Sequence, residues 1–159
     1  MKLDIGAGKM PVRGFVGVDK YVDTAAVKAD ATVLPFPPGS VEEVYCSHTM
    51  EHLSYVDAPK ALAEMMRVLE PGGRFTIVVP NMDFVAAMWL HGGDRFWAKQ
   101  IVFGNQAHAG EFHKNGWRVQ DLRDDLEAAG LEVGTCEVSF TPEYSQESII
   151  AKGIKPVTS

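Results

Sequence analysis

The gap between two short apolar runs constrains this chain more than any other feature. Leu3-Asp4-Ile5 turns directly into Gly6-Ala7-Gly8, and the next apolar run, Phe15-Val16-Gly17-Val18, ends on Asp19. The pattern reads as strand, tight glycine loop, strand, acidic residue. That order puts a backbone loop and a carboxylate at the carboxyl ends of neighbouring parallel strands, where open α/β sheets bind ligands. Residues 9–14, Lys-Met-Pro-Val-Arg-Gly, are too few and too broken for a full crossover helix. A whole crossover usually takes at least about 10–12 residues. The expected fold is therefore an α/β sheet whose first crossover helix is shortened or absent.

The remaining elements extend the same pattern. Val27-Lys28-Ala29 predicts a short third strand that stops at Asp30, and Val44-Tyr45-Cys46 a fourth. Between them the prolines of Leu34-Pro35-Phe36-Pro37-Pro38-Gly39 force irregular or extended backbone. A helix is expected from an Asp57 N-cap, with Pro59 in its first turn. Ala58, Ala61, Leu62, Met65, Met66 and Leu69 recur at helical spacing, and Pro71-Gly72-Gly73 closes the helix. Phe75-Thr76-Ile77-Val78-Val79 reads as a central strand. Residues 83–103 look helical but are interrupted by His91-Gly92-Gly93, and residues 104–117 form a polar loop. Val119, Leu122, Leu126 and Ala129 mark another helix, closed by Gly130, before two runs at about 131–140 and 147–153 that suit an antiparallel pair. Together these predict one domain over residues 1–159. Its fold is a three-layer Rossmann-like sheet, mostly parallel with a C-terminal antiparallel hairpin.

Bulk properties narrow the partners. A net charge of −6 argues against non-specific binding to nucleic acid or anionic membranes. No apolar run approaches the roughly 20 residues of a membrane span. Strand-like sequence from Lys2 leaves no room for a signal peptide. Cys46 and Cys136 lack CxxC spacing and read as buried free thiols, so a cytoplasmic protein is expected.

Three strand ends deliver polar features to one sheet edge: the glycine pair, Asp19 and Asp30. These are the parts a nucleoside-containing ligand needs, since glycines admit close backbone approach and carboxylates accept from hydroxyls. The missing phosphate-facing helix and third glycine disfavour a dinucleotide. His48-Thr49-Met50-Glu51-His52 also fits an inverted zinc-protease motif, but His48 follows directly on a strand. Glu51 and His52 read better as structural groups, and no metal is expected, although His108, Glu111 and His113 form a weaker metal-capable set. Within residues 104–117, histidines are the natural bases near neutral pH. His113 ranks first, then His48, then His108. Trp117 reads as core.

In order and spacing, Leu3-Asp4-Ile5-Gly6-Ala7-Gly8, Gly17-Val18-Asp19, Asp30 and Leu34-Pro35-Phe36 resemble the class I S-adenosylmethionine (SAM) dependent methyltransferases. The resemblance continues through Ser47-His48-Thr49-Met50-Glu51-His52-Leu53 and Arg67-Val68-Leu69-Glu70-Pro71-Gly72-Gly73 to the strand ending at Pro80. It is nearest to small type-11-like forms linked to saccharide and cell-envelope biosynthesis. It implies cofactor contacts from Asp4, Gly6, Ala7 and Gly8 at the glycine loop, and from Asp19 and Lys20 at the ribose. Asp30, Ala31 and Leu34 would meet adenine, and Cys46, Ser47 and His48 would face the sulfonium. The implied activity is methyl transfer from SAM to an oxygen or nitrogen of a small or saccharide-like acceptor, leaving S-adenosylhomocysteine. Residues 81–117 would form the acceptor-binding lid, and a homo-oligomer is allowed. The alternative is a non-catalytic SAM-binding or partner-binding module. A zinc hydrolase through His48, Glu51 and His52 ranks below both.

Overall fold

The computed structural model describes residues 1–141 and 146–157. Its strands are β1 (Lys2–Ile5), β2 (Val16–Asp19), β3 (Val27–Lys28), β4 (Val41–Ser47), β5 (Leu69–Pro80), β6 (Glu132–Thr141) and β7 (Gln146–Ile154). Its helices are α1 (Ala58–Val68), α2 (Met82–Leu90), α3 (Arg95–Phe103) and α4 (Val119–Ala128). Among the described residues the strands form one sheet in the order β3-β2-β1-β4-β5-β7-β6. The first five run parallel, and β7 is antiparallel to both β5 and β6. This is the mostly parallel sheet with a closing antiparallel pair that the sequence implies. Residues 142–145, between β6 and β7, lie outside the described residues. Among the described residues, no helix is long and apolar enough to cross a membrane.

Strand parity decides where the core sits, because successive side chains point to opposite faces. Ile5, Cys46, Ile77 and Ala151 stand in register across β1, β4, β5 and β7, and all are buried. Leu62 and Met65 of α1 and Leu122 and Leu126 of α4 join them in one cluster. The helices α1 and α4 therefore cover this face.

The opposite face carries Asp4, Tyr45 and Thr76 in register. Here no crossover helix joins β1 to β2, and residues 6–15 cross the sheet as a loop. The Val12 N–H donates to Asp4 Oδ2 at 2.8 Å, and the Phe15 ring meets the Tyr45 ring edge-on at 6.3 Å. Loop and strands leave a groove of about 280 Å³ between them, lined by Asp4, Ala7, Tyr45, Ser47, Val78 and others, with no helix residue in it. Burial raises the Asp4 pKa, and the Val12 hydrogen bond only partly offsets that.

Two local expectations are corrected. Asp57 precedes α1 but has helical backbone and no side-chain cap bond to it. Its N–H instead donates to Ser54 Oγ at 3.1 Å, while the Ser54 hydroxyl donates to Asp57 Oδ2 at 2.9 Å. The capping exchange thus sits one turn earlier than the proline suggested. Pro71-Gly72-Gly73 does not close the helix, because α1 ends at Val68 and Leu69 already pairs with Val41. The prolyl-glycyl segment lies inside β5, opposite an irregularity in pairing between Val41 and Glu43.

Candidate functional site

The site begins where β1 ends. Gly6 has φ +72°, and a Cβ there would sit 1.9 Å from Thr49 Oγ1. Only glycine both adopts that backbone and lets Thr49 close over the loop. The Thr49 hydroxyl donates to the Ile5 carbonyl at 3.2 Å, and the Gly6 N–H donates to the Val18 carbonyl at 2.8 Å. The bend opens a cleft of about 690 Å³ at the carboxyl ends of the parallel strands. That size is in the range of sites for small organic ligands.

One end of the cleft is a pair of carboxylates. Asp19 Oδ1 accepts from the Tyr21 and Val22 N–H groups at 2.7 and 3.0 Å, and Oδ2 accepts from Gly8 N–H at 3.0 Å. A carboxylate has about four acceptor sites, so Oδ2 keeps one for a ligand hydroxyl. The resemblance implies that Asp19 meets the ribose, and Oδ2 offers one position for it. Asp30 Oδ1 accepts from the Thr32 N–H and hydroxyl, and Oδ2 accepts from Lys20 Nζ at 2.8 Å. Burial raises the Asp30 pKa, but the bonds from Lys20 and Thr32 outweigh it and hold the carboxyl at about 2. Asp30 is thus ionised at neutral pH.

The other end is a histidine cluster. His48 follows β4 with a left-handed φ of +49°. Its Nδ1 lies 3.1 Å from Glu51 Oε1 and its Nε2 lies 3.3 Å from Ser148 Oγ on β7. His52 ends the one-turn 3-10 helix Met50–His52. His113 packs edge-on against it, with ring centroids 4.6 Å apart. Burial lowers the His52 pKa; the neighbouring His113 adds to this and Glu51 opposes it.

The expected cofactor residues divide between the two faces of the sheet and the core. Gly6, Gly8, Asp19, Lys20, Asp30, Ala31 and His48 line the cleft. Asp4, Ala7 and Ser47 line the groove on the other face instead. Cys46 and Leu34 are buried in the core, and burial pushes the Cys46 thiol far up, so it stays protonated. Trp117 is core, as expected. His113, expected as the base, stands against His52 and does not line the cleft, whereas His108 does. His108 Nε2 is 3.3 Å from Glu111 Oε1 in an exposed pair. His48 and His52 are not presented on one α-helical face, because His48 precedes the 3-10 turn. The sequence reading missed Tyr21, Thr32, Thr49, His52, Asp57 and Lys114 as cleft residues. Thr32, two residues beyond Asp30, was the one a turn signal could have found.

Comparison with known proteins agrees with this geometry. Residues 12–77 match the methyltransferase domain family of type 11. Over 157 residues the chain is 36% identical to the ubiquinone/menaquinone biosynthesis C-methyltransferase of Marinomonas sp. (strain MWYL1), covering 96% of this chain and 60% of that protein. The chain thus spans less than two thirds of the length of the curated relatives it matches. Its fold superposes on a SAM-dependent methyltransferase from Methanosarcina mazei with a TM-score of 0.72 at 17% identity, covering 99% and 92% of the two chains. It also superposes on the Burkholderia thailandensis 1,6-didemethyltoxoflavin-N1-methyltransferase, solved with S-adenosylhomocysteine, with a TM-score of 0.66 at 17% identity over 98% and 70%.

The fold is that of the class I SAM-dependent methyltransferases. Residues 12–77 carry the likeness to the type-11 methyltransferase domain. SAM is the cofactor of that class, and the cleft fits it. A Cβ on Gly8 would meet open space at the cleft wall, and Asp19 keeps an acceptor position there.

Proposed function

We propose that this domain transfers the SAM methyl group to an oxygen or nitrogen of a small or saccharide-like acceptor. One observation carries the reading: a single cleft joins a nucleoside-sized polar edge, Asp19 and Asp30, to His48, whose Nδ1 is held from behind by the buried Glu51 carboxylate. When bound, SAM supplies a methyl group made electrophilic by its sulfonium sulfur. Gly6 and Gly8 admit its amino-acid part, Asp19 Oδ2 takes a ribose hydroxyl, and Asp30 with Ala31 borders the adenine. Residues 81–117, with α2 and α3, act as the acceptor-binding lid. Orientation of the acceptor supplies most of the rate, since in-line displacement depends on geometry.

The base is His48 rather than His113. Glu51 Oε1 accepts from His48 Nδ1, which makes Nε2 the basic nitrogen; the acceptor's hydroxyl or amine would take the place of the Ser148 hydroxyl, 3.3 Å away, to give it a proton. Such a base contributes typically about 10²–10⁴-fold. The reading places the protein in the cytoplasm, where the free thiols of Cys46 and Cys136 stay reduced.

The similarity to the Marinomonas enzyme favours a second reading, transfer to carbon in a quinone precursor. A radiolabelled-methyl assay with saccharide hydroxyl and amine acceptors beside a ubiquinone/menaquinone precursor separates the two. Label on a sugar or amine, slowed in His48→Gln at unchanged SAM affinity, supports the first. Label only on the quinone precursor replaces it with the second. SAM binding with no transfer to either class leaves the non-catalytic module.

A further inference from the structure

We propose that Glu51, His52 and His113 bind one divalent first-row transition-metal cation beside the histidine end of the cleft, behind the cleft residue His52. One donor atom from each side chain lies within 4.8 Å of the others. Bonds of about 2.0–2.2 Å to a shared ion place donor atoms about 3–3.5 Å apart. Closing that difference takes about 1 Å of side-chain movement, well within what imidazole and carboxylate torsions allow.

The second observation is an orphaned oxygen. Glu51 is 1% exposed, and its Oε2 has no hydrogen-bond partner among the described residues. A buried carboxylate oxygen without a partner is costly, and most such atoms in folded proteins are satisfied. The other oxygen is occupied by His48 Nδ1. A cation at Oε2 would complete the carboxylate.

The imidazoles are already set as ligands. His52 Nδ1 lies 3.3 Å from the Phe112 carbonyl, and His113 Nδ1 lies 2.5 Å from the Ile101 carbonyl. A carbonyl only accepts, so both Nδ1 atoms carry the proton and both Nε2 atoms keep a lone pair. A ring N–H donated to a carbonyl is the usual outer support of a metal-binding histidine. The backbone fixes the two segments together: the Lys114 and Asn115 N–H groups donate to the Glu51 carbonyl at 2.8 and 3.2 Å. Gly104 makes the approach possible, because a Cβ there would lie 1.8 Å from the Glu111 carbonyl oxygen.

Two imidazole nitrogens and one carboxylate oxygen suit Zn²⁺, Co²⁺ or Fe²⁺ rather than Mg²⁺ or Ca²⁺, which prefer oxygen. The exposed His108–Glu111 pair offers only two donors. Binding of the ion is measured without SAM, so this inference stands or falls apart from the methyl-transfer reading.

The test uses tag-free protein stripped with a chelator, titrated with Co²⁺ by visible absorbance and with Zn²⁺ by calorimetry. One equivalent should bind and raise Tm. Affinity should fall at least tenfold in His52→Ala, His113→Ala and Glu51→Gln and stay unchanged in His108→Ala. Glu51→Gln keeps the side-chain shape and decides the matter if a histidine variant fails to fold. No stoichiometric binding by the wild-type protein would overturn the proposal, as would binding that survives Glu51→Gln or is lost only in His108→Ala.

Discussion

The two ends of the cleft are built on opposite principles. At the nucleoside end each carboxylate already holds three donors: Asp19 takes three backbone N–H groups, and Asp30 takes the Thr32 N–H, the Thr32 hydroxyl and Lys20. At the histidine end polar groups are left open. Glu51 Oε2 is buried without a partner among the described residues, and the Nδ1–carbonyl contacts of His52 and His113 leave their Nε2 lone pairs available. A ligand at the first end adds to a finished network, and a ligand at the second completes an unfinished one. The nucleoside end should therefore hold its shape without cofactor, and the histidine end should change most when its ligands arrive.

The largest effect is expected from breaking the support of the histidine end alone. Gly104 has φ +76°, and a Cβ there would collide with backbone at Glu111 and His113. Backbone cannot rotate away, so Gly104→Ala should cost about 3 kcal/mol, from the positive-φ penalty and overpacking together. Denaturant unfolding should show this loss. By contrast, Gly6→Ala meets only the Thr49 side chain, so a Thr49→Ala partner change should recover part of its loss but would recover none at Gly104. Equal rescue at both positions would erase the contrast.

Next in size is His48→Gln. Turnover should fall about 10²-fold or more, with SAM affinity within a factor of about two of wild type. Loss of binding alongside turnover would show that His48 belongs to the cofactor end.

How much of this was legible in the sequence follows the same divide. The nucleoside end depends on strand ends close together in the chain, so Gly6, Gly8, Asp19 and Asp30 could be read from spacing. What spacing could not give was the face. Asp4, Ala7 and Ser47 sit beside true cleft residues in sequence, yet they line the opposite groove: for Asp4 and Ser47 one step along a strand reverses the side chain, and Ala7 follows the bend of the glycine loop. Cys46 went to the core in the same way, and Leu34 is buried there from the loop between β3 and β4. The histidine end joins residues 48–52 to residues 101–115 through backbone contacts such as Lys114 N–H to Glu51 carbonyl. No local pattern announces such a contact, and His52 was accordingly read as structural and His113 as the base.

The smallest effect tests the face that spacing misassigned. The Asp4 pKa is raised by burial, so its protonated form is favoured in the folded state. Its stabilising contribution is present below the unfolded value of about 3.9 and is lost as pH rises through the folded value. At neutral pH the ionised carboxylate therefore costs stability. Asp4→Asn, which keeps the acceptor for Val12 N–H, should raise stability by up to about 1 kcal/mol at pH 7 and by nothing near pH 3. Thermal melts across that range should show the gap widening with pH and SAM affinity unchanged. A weakened affinity would return Asp4 to the cofactor site.

Calorimetric titration of S-adenosylhomocysteine into the wild-type protein and Asp19→Ala tests the central claim most directly. The account predicts one site of micromolar affinity in the wild type and a loss of at least tenfold in Asp19→Ala, with the fold retained. No detectable binding to the wild type, or equal binding to both proteins, would contradict it.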